Sequence, residues 1–231
     1  MSSVPSWQSH VPASEHERSV LGVVVYSCTV SSIRHAKDAD RAPSMAECGE
    51  MLRMSAERVA ALDGLGALAA AAGADAAAAA EPFMGALGDF DQRLRPLDWA
   101  EWLLKTHLAL GLLADFCRTL AAGLSEPLRS GLGGALVEDR FTRFAADALV
   151  PGIDSDPQLA GRLGLWGRRV VGEEIGTLQR MLASFPPLLD GAAGLEDIHA
   201  VLSEGAVTRM RSLDLHLILL LLFFLLNLLL L

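Results

Sequence analysis

Apolar positions along this chain recur mostly at helical spacing. Leu21, Val24, Val25, Cys28 and Ile33 roughly follow a 3.6-residue period and predict a helix from about Ser19 to Asp40. Valine and threonine crowd the stretch VLGVVVYSCTV, which would also suit a strand, but no partner strand pattern occurs elsewhere, so helix is preferred. Pro43 and Ser44 open a second helix. Ser44 with Glu47 three residues on fits a capping box, and the helix runs to about Ala72, ahead of Gly73. A short helix is expected from Glu81 to Gln92, with Pro82 tolerated in its first turn. Asp98 and Glu101 repeat the capping pattern, and LDWAEWLLKTHLALGLLADF then predicts a helix to about Ala122. Ser125 and Pro127 begin another, to about Leu149. Asp156 and Pro157 begin a long one that stops before Pro186 and Pro187, and a small helix covers Leu195–Ser203. Five substantial helices with short connections imply an all-α bundle.

Composition agrees. Hydrophobic residues make up 52% and aromatics 6% of the 231 residues, and strand-forming residues are sparse. The net charge of -9 disfavours binding to phosphate backbones unless a local basic groove exists. Arg162, Arg168 and Arg169 lie close in sequence, but a solvated helix face accounts for them more simply. Cys28, Cys48 and Cys117 form no CxxC pair, and the first twenty residues lack the apolar core of a signal peptide. Both features point to a reducing, cytoplasmic setting. Residues 1–18 read as a disordered arm, 19–185 as the bundle, 186–211 as a short helix and linker, and 212–231 as an apolar tail. From Leu215 that tail is LHLILLLLFFLLNLLLL, about 25 Å of helix against a bilayer core of about 30 Å. Arg209 and Arg211 precede it, as cytoplasmic flanking charge would. Two readings of the tail stay open: a membrane anchor, or a leucine-rich extension without a role.

Familiar catalytic motifs are missing. The sequence contains no GxxxxGK[ST], no HExxH, no GxSxG and no GxGxxG after a strand. Cys117 and His107 would stand about 15 Å apart along one helix, too far for a nucleophile and its base. His107 and Asp115 are about 12 Å apart and cannot share a metal ion.

The stretches DWAEWLLKTHLALGLLADFCRTLA and DPQLAGRLGLWGRRVVGEEIGTLQ, with RAPSMAECGEMLRMSAE at 41–57, resemble the ferritin-like family related to the tRNA 2-methylthio-isopentenyl-adenosine hydroxylase, in its actinobacterial branch. The resemblance covers about Leu21–Ala183. It implies a ferritin-like four-helix bundle with additional helices; the C-terminal apolar helix is read from the tail sequence and lies outside the resemblance. The resemblance also implies a di-iron site: a carboxylate on the first helix, Glu-x-x-His on the second, a carboxylate on the third and acid-x-x-His on the fourth. Residues at i and i+3 share one helix face and can address one metal pair.

Carried onto this sequence, the ligand pattern is mostly lost. The first position falls at about Cys28. Glu57 matches the next acid, but its histidine falls on Ala60. The third-helix carboxylate falls near Leu110. Glu138 matches the fourth acid, but its histidine falls on Phe141. The resemblance therefore implies Glu57 and Glu138 as residual metal ligands, with His35 and one of Glu173 and Glu174 as conceivable substitutes. Leu103, His107, Leu110 and Ala114 share one face of their helix, where His107 reads as a half-buried, hydrogen-bonded packing residue. Asp115 reads as the partner of a nearby Arg or Lys, and Trp99, Trp102 and Trp166 read as bundle core. The expectation is a ferritin-like pseudoenzyme or scaffold without a cofactor. One alternative is a di-iron hydroxylase or oxidase. Another is a helical membrane adaptor that binds a protein partner and the membrane through its tail.

Overall fold

The computed structural model describes residues 13–136, 139–191 and 194–215. The arm before Ala13, Glu138 and the tail from His216 lie outside the described residues. Among those described, helix is the only regular structure, in the order α1 (Glu15–Ala39), α2 (Met45–Ala71), α3 (Ala76–Ala80), α4 (Gly88–Arg93), α5 (Trp99–Ala122), α6 (Leu128–Ala135), α7 (Asp139–Ser155), α8 (Pro157–Ser184) and α9 (Leu195–Arg211). No single helix among them is long and apolar enough to cross a membrane.

The helix starts follow their caps. Ser14 and Glu17 form a reciprocal capping box that begins α1 four residues earlier than the apolar pattern predicts. Ser44 caps α2, Asp98 caps α5 through the Glu101 N–H at 2.9 Å, and Asp156 caps α8. The helix expected over Glu81–Gln92 is instead a short 3-10 turn at Glu81–Phe83 followed by α4. Gly85, at φ +81°, makes the reversal between them. The helix expected from Ser125 to Leu149 is two helices, α6 and α7.

α5 is the axis of the bundle. Every residue from Leu103 to Ala114 is buried, as a helix covered on all sides requires. α1, α8 and α9 pack against it, and α2 packs along α1. α1 and α3 meet at Gly22, where an added Cβ would lie 2.0 Å from the Ala79 carbonyl oxygen, so only glycine permits this approach. Ile33, expected on the apolar face of α1, is 47% exposed. α9 runs past the expected Ser203 to Arg211, because Ile198, Leu202, Ala206 and Met210 are buried in the shared core. Arg209 does not flank a tail freely. Its guanidinium turns inward over Gly111 and pairs with Asp115 of α5.

Candidate functional site

One end of the bundle is charged inside. The C-terminal half of α1 places Arg34 and Asp38 one turn apart, α4 supplies Phe90 and Asp91, and α5 supplies Lys105 and Thr106. Arg34 Nη2 lies 3.2 Å from Asp91 Oδ1, and Lys105 Nζ lies 2.8 Å from the same oxygen. Lys105 also donates to the Leu94 carbonyl at 2.8 Å. Thr106 donates to Asp38 Oδ2 at 2.6 Å. Both cations lie near the Phe90 ring, the Arg34 Cζ at 4.8 Å and the Lys105 Nζ at 5.3 Å from its centroid, within cation–π range. One half-exposed carboxylate thus holds two buried cations over an aromatic floor.

Burial sets the titration of this end. Glu174 of α8 has no exposed surface, and neither carboxylate oxygen has a hydrogen-bond partner. Loss of water pushes it up to about 7, more than the nearby Arg34 and Lys105 pull it down. Asp38 is pushed up to about 6 by burial, against the Thr106 hydrogen bond and the charges of Arg34, Lys105 and Arg41. Burial also acts on Asp91, but Arg34 and Lys105 outweigh it and its carboxyl stays below the usual range. Lys105 is lowered by burial, in part offset by Asp91. The buried phenol of Tyr26 is raised for the same reason, and its oxygen accepts the Leu87 N–H at 3.1 Å.

A cleft of about 640 Å³ opens onto Arg34, Asp38, Asp91, Lys105 and Thr106. Lys37, Arg41, Arg95 and Trp102 form its outer wall, and the Arg41 guanidinium sits 4.2 Å over the Trp102 ring. This is the local concentration of positive charge that the net charge of the chain conceals. Trp99, Trp102 and Trp166 are only half-buried, at the rim of the core rather than within it. The Trp166 indole donates to the Glu101 carbonyl at 3.0 Å.

The residues expected from the sequence scatter. Glu57 is exposed on α2 and pairs with Arg140. Cys28 and Leu110 are buried in the bundle. Phe141 is buried against His35, with ring centroids 4.9 Å apart. Neither nitrogen of His35 makes a regular hydrogen bond. Burial, then the charge of Arg58, lowers it to about 4, although the Met54 carbonyl favours the charged ring. His107 is fully rather than half-buried, and burial with the Arg209 charge lowers it to about 4. Asp115 pairs with Arg118 at 2.7 Å and with Arg209. Of the two adjacent glutamates on α8, Glu174 faces the interior and Glu173 pairs with Arg93 at 2.7 Å. Arg162 pairs with Asp98 and Glu101, and Arg169 donates to the Arg93 carbonyl at 3.0 Å.

Among the described residues, these side chains do not assemble a dinuclear iron centre. Such a centre needs several carboxylates and imidazoles converging on one point. Among the described residues, no three His, Cys, Asp or Glu side chains converge in that way. Half-exposed Asp91 pairs with Arg34 and Lys105 instead, while Asp38 accepts from Thr106 and Glu174 has no hydrogen-bond partner. Sequence reading alone passed over these cations. The available signal was Lys105, a charged residue inside the apolar run LLKTHLAL, where an unpaired ammonium would be costly.

Comparison with known proteins places this arrangement in context. Residues 15–189 match the Ferritin_fold-like family, described as the ferritin-like domain of actinomycetes. No protein among those curated for function matches the chain. A solved structure described as "Protein 19 with aldehyde deformylating oxidase activity from Synechococcus" superposes with a TM-score of 0.66 at 16% identity, over 89% of this chain and 94% of that one. At that identity the likeness is one of fold, and its helical bundle is the one described above. With the family match spanning α1 to the turn after α8, this chain belongs to the actinomycete ferritin-like domain family.

Proposed function

We propose that this ferritin-like bundle is a binding protein or scaffold that works through its charged cleft and holds no dinuclear iron. The observation that supports the reading is the pair of buried cations at the inner carboxylates. Arg34 and Lys105 already occupy Asp91, the most accessible acid of the group. Burial pushes Glu174, the fully buried acid, up to about 7, so near neutral pH it is divided between its protonated and charged forms. The apolar tail from Leu215 would tether the protein at a membrane surface. Pelleting of the full chain with membranes, and its loss on deletion of residues 216–231, tests the tether.

Metal content tests the main reading. The full chain is expressed with added iron, purified in mild detergent and assayed by elemental analysis. Iron close to zero per chain is expected. About two irons per chain would overturn the proposal. It would favour a second reading, an iron-dependent oxidase or hydroxylase akin to the tRNA hydroxylase group, which the aldehyde deformylating oxidase activity of the structural neighbour supports.

A further inference from the structure

The cleft has the features of an anion site rather than of a crevice between helices. Five cationic side chains line it against three carboxylates, in a chain of net charge -9. The cations are graded in depth. At the base, the Arg34 side chain is only 7% exposed, and its Nε and Nη1 have no hydrogen-bond partner. Buried guanidinium donors without partners are costly, and a turn of the guanidinium toward the cleft would let an incoming oxygen satisfy them. At the mouth, the side chains of Lys37 and Arg95 have neither an ion pair nor a hydrogen bond among the described residues, and both are exposed. Asp91 fixes Lys105, buried beside Arg34 at the base, and Trp102 holds the exposed Arg41.

We propose that this cleft binds a small phosphomonoester, its dianionic head on Arg34 with Lys37 and Arg95 closing over it; the inference rests on the binding reading above. Several features select this class. A dianion matches the excess of positive charge better than a single carboxylate does. A planar guanidinium presents parallel donors that suit phosphate oxygens. The volume of about 640 Å³ falls within the usual range for small-molecule sites and leaves room for an organic group beyond the head. Trp102 and Pro96 offer that group an apolar wall. A nucleic-acid backbone fits less well, because the cations ring one recess instead of forming a stripe on an otherwise acidic surface.

Calorimetric titration of the full chain in neutral detergent, with phenyl phosphate and benzoate as probes, tests this. Phenyl phosphate should bind saturably and benzoate at least about tenfold more weakly. The double variant Lys37→Gln, Arg95→Gln changes only exposed side chains and should weaken phenyl phosphate about tenfold or more. Arg143→Gln, an exposed cation on α7 away from the cleft, should leave binding unchanged. Arg34→Gln should lose binding, with helix content checked by circular dichroism. No heat with phenyl phosphate would overturn the inference, as would equal binding of benzoate or unchanged affinity in the double variant. Iron is measured on the same preparation. Iron-free protein that ignores phenyl phosphate defeats this inference alone, whereas iron-loaded protein defeats the proposed function whatever the titration gives.

Discussion

The two ends of the bundle are built from the same helices but with opposite chemistry. Where α1 begins and α5 ends, Val20, Val23 and Val24 share a core with Phe116, Cys117 and Leu120, and the interior is hydrocarbon. Where α1 ends and α5 begins, the same two helices bury Arg34, Asp38, Lys105 and Thr106. Apolar packing at the first end needs only shape and volume to hold. The second end needs each charge to be matched, since an unpaired buried charge costs several kilocalories per mole. It is met only in part: Glu174, two donors of Arg34 and both nitrogens of His35 lack regular hydrogen bonds. The first end therefore stabilises the fold. The second carries unsatisfied polar groups beside an open cleft, which is where binding is expected.

The largest effect should come from the apolar end. Phe116, fully buried, loses its packing in Phe116→Ala, and denaturant unfolding should show a loss of about 3–5 kcal/mol. A loss much below that would mean the apolar end does not dominate stability.

Next comes the pH response of the charged end. Glu174 titrates at about 7 in the fold against 4.5 in the open chain, so the folded protein holds its proton longer. Stability linked to this group is complete below about pH 4.5 and is lost as the pH rises through about 7. Asp38 acts in the same direction between 3.8 and about 6. His35 and His107, lowered from 6.5 to about 4, act the opposite way and lose their contribution as the pH falls through about 4. Glu174→Gln should remove its own share, on the order of 3 kcal/mol, from the difference in stability between pH 5 and pH 8. A difference unchanged from the wild type would place Glu174 in a more hydrated setting.

Asp91→Asn should cost about 2 kcal/mol, less than breaking a fully buried pair because Asp91 is half-exposed, and it should lower the pKa of Lys105 further. Chemical-shift titration of the lysine amine checks the second part. The smallest effect is expected at Arg140→Gln. It removes the exposed pairs with Glu50 and Glu57 on α2, and the denaturant midpoint should not move measurably. A marked loss would show that Glu57 sits in a more important contact than a surface ion pair.

Short-range chemistry was legible at three helix starts and missed at the Ser14–Glu17 box that begins α1. The caps at Ser44, Asp98 and Asp156 placed the starts of α2, α5 and α8, because a cap and its N–H lie within three residues. The apolar spacing of α5 marked a helix, but its reading as one apolar face with a half-buried His107 understated burial that runs all round from Leu103 to Ala114, while Asp115 read correctly as the partner of a basic residue. Of the adjacent glutamates, that one would face inward was legible; that it is Glu174 was not. The tertiary structure alone decided the rest. Arg34, Asp91 and Lys105 come from three helices, the first two 57 positions apart, and nothing local predicts that one oxygen serves both cations. Arg209 read as a charge flanking a membrane and instead turns into α5, because Gly111 leaves room for it beside Asp115. Helix formation depends on neighbours along the chain, whereas the pairing of buried charge depends on how each helix is rotated and packed against the others.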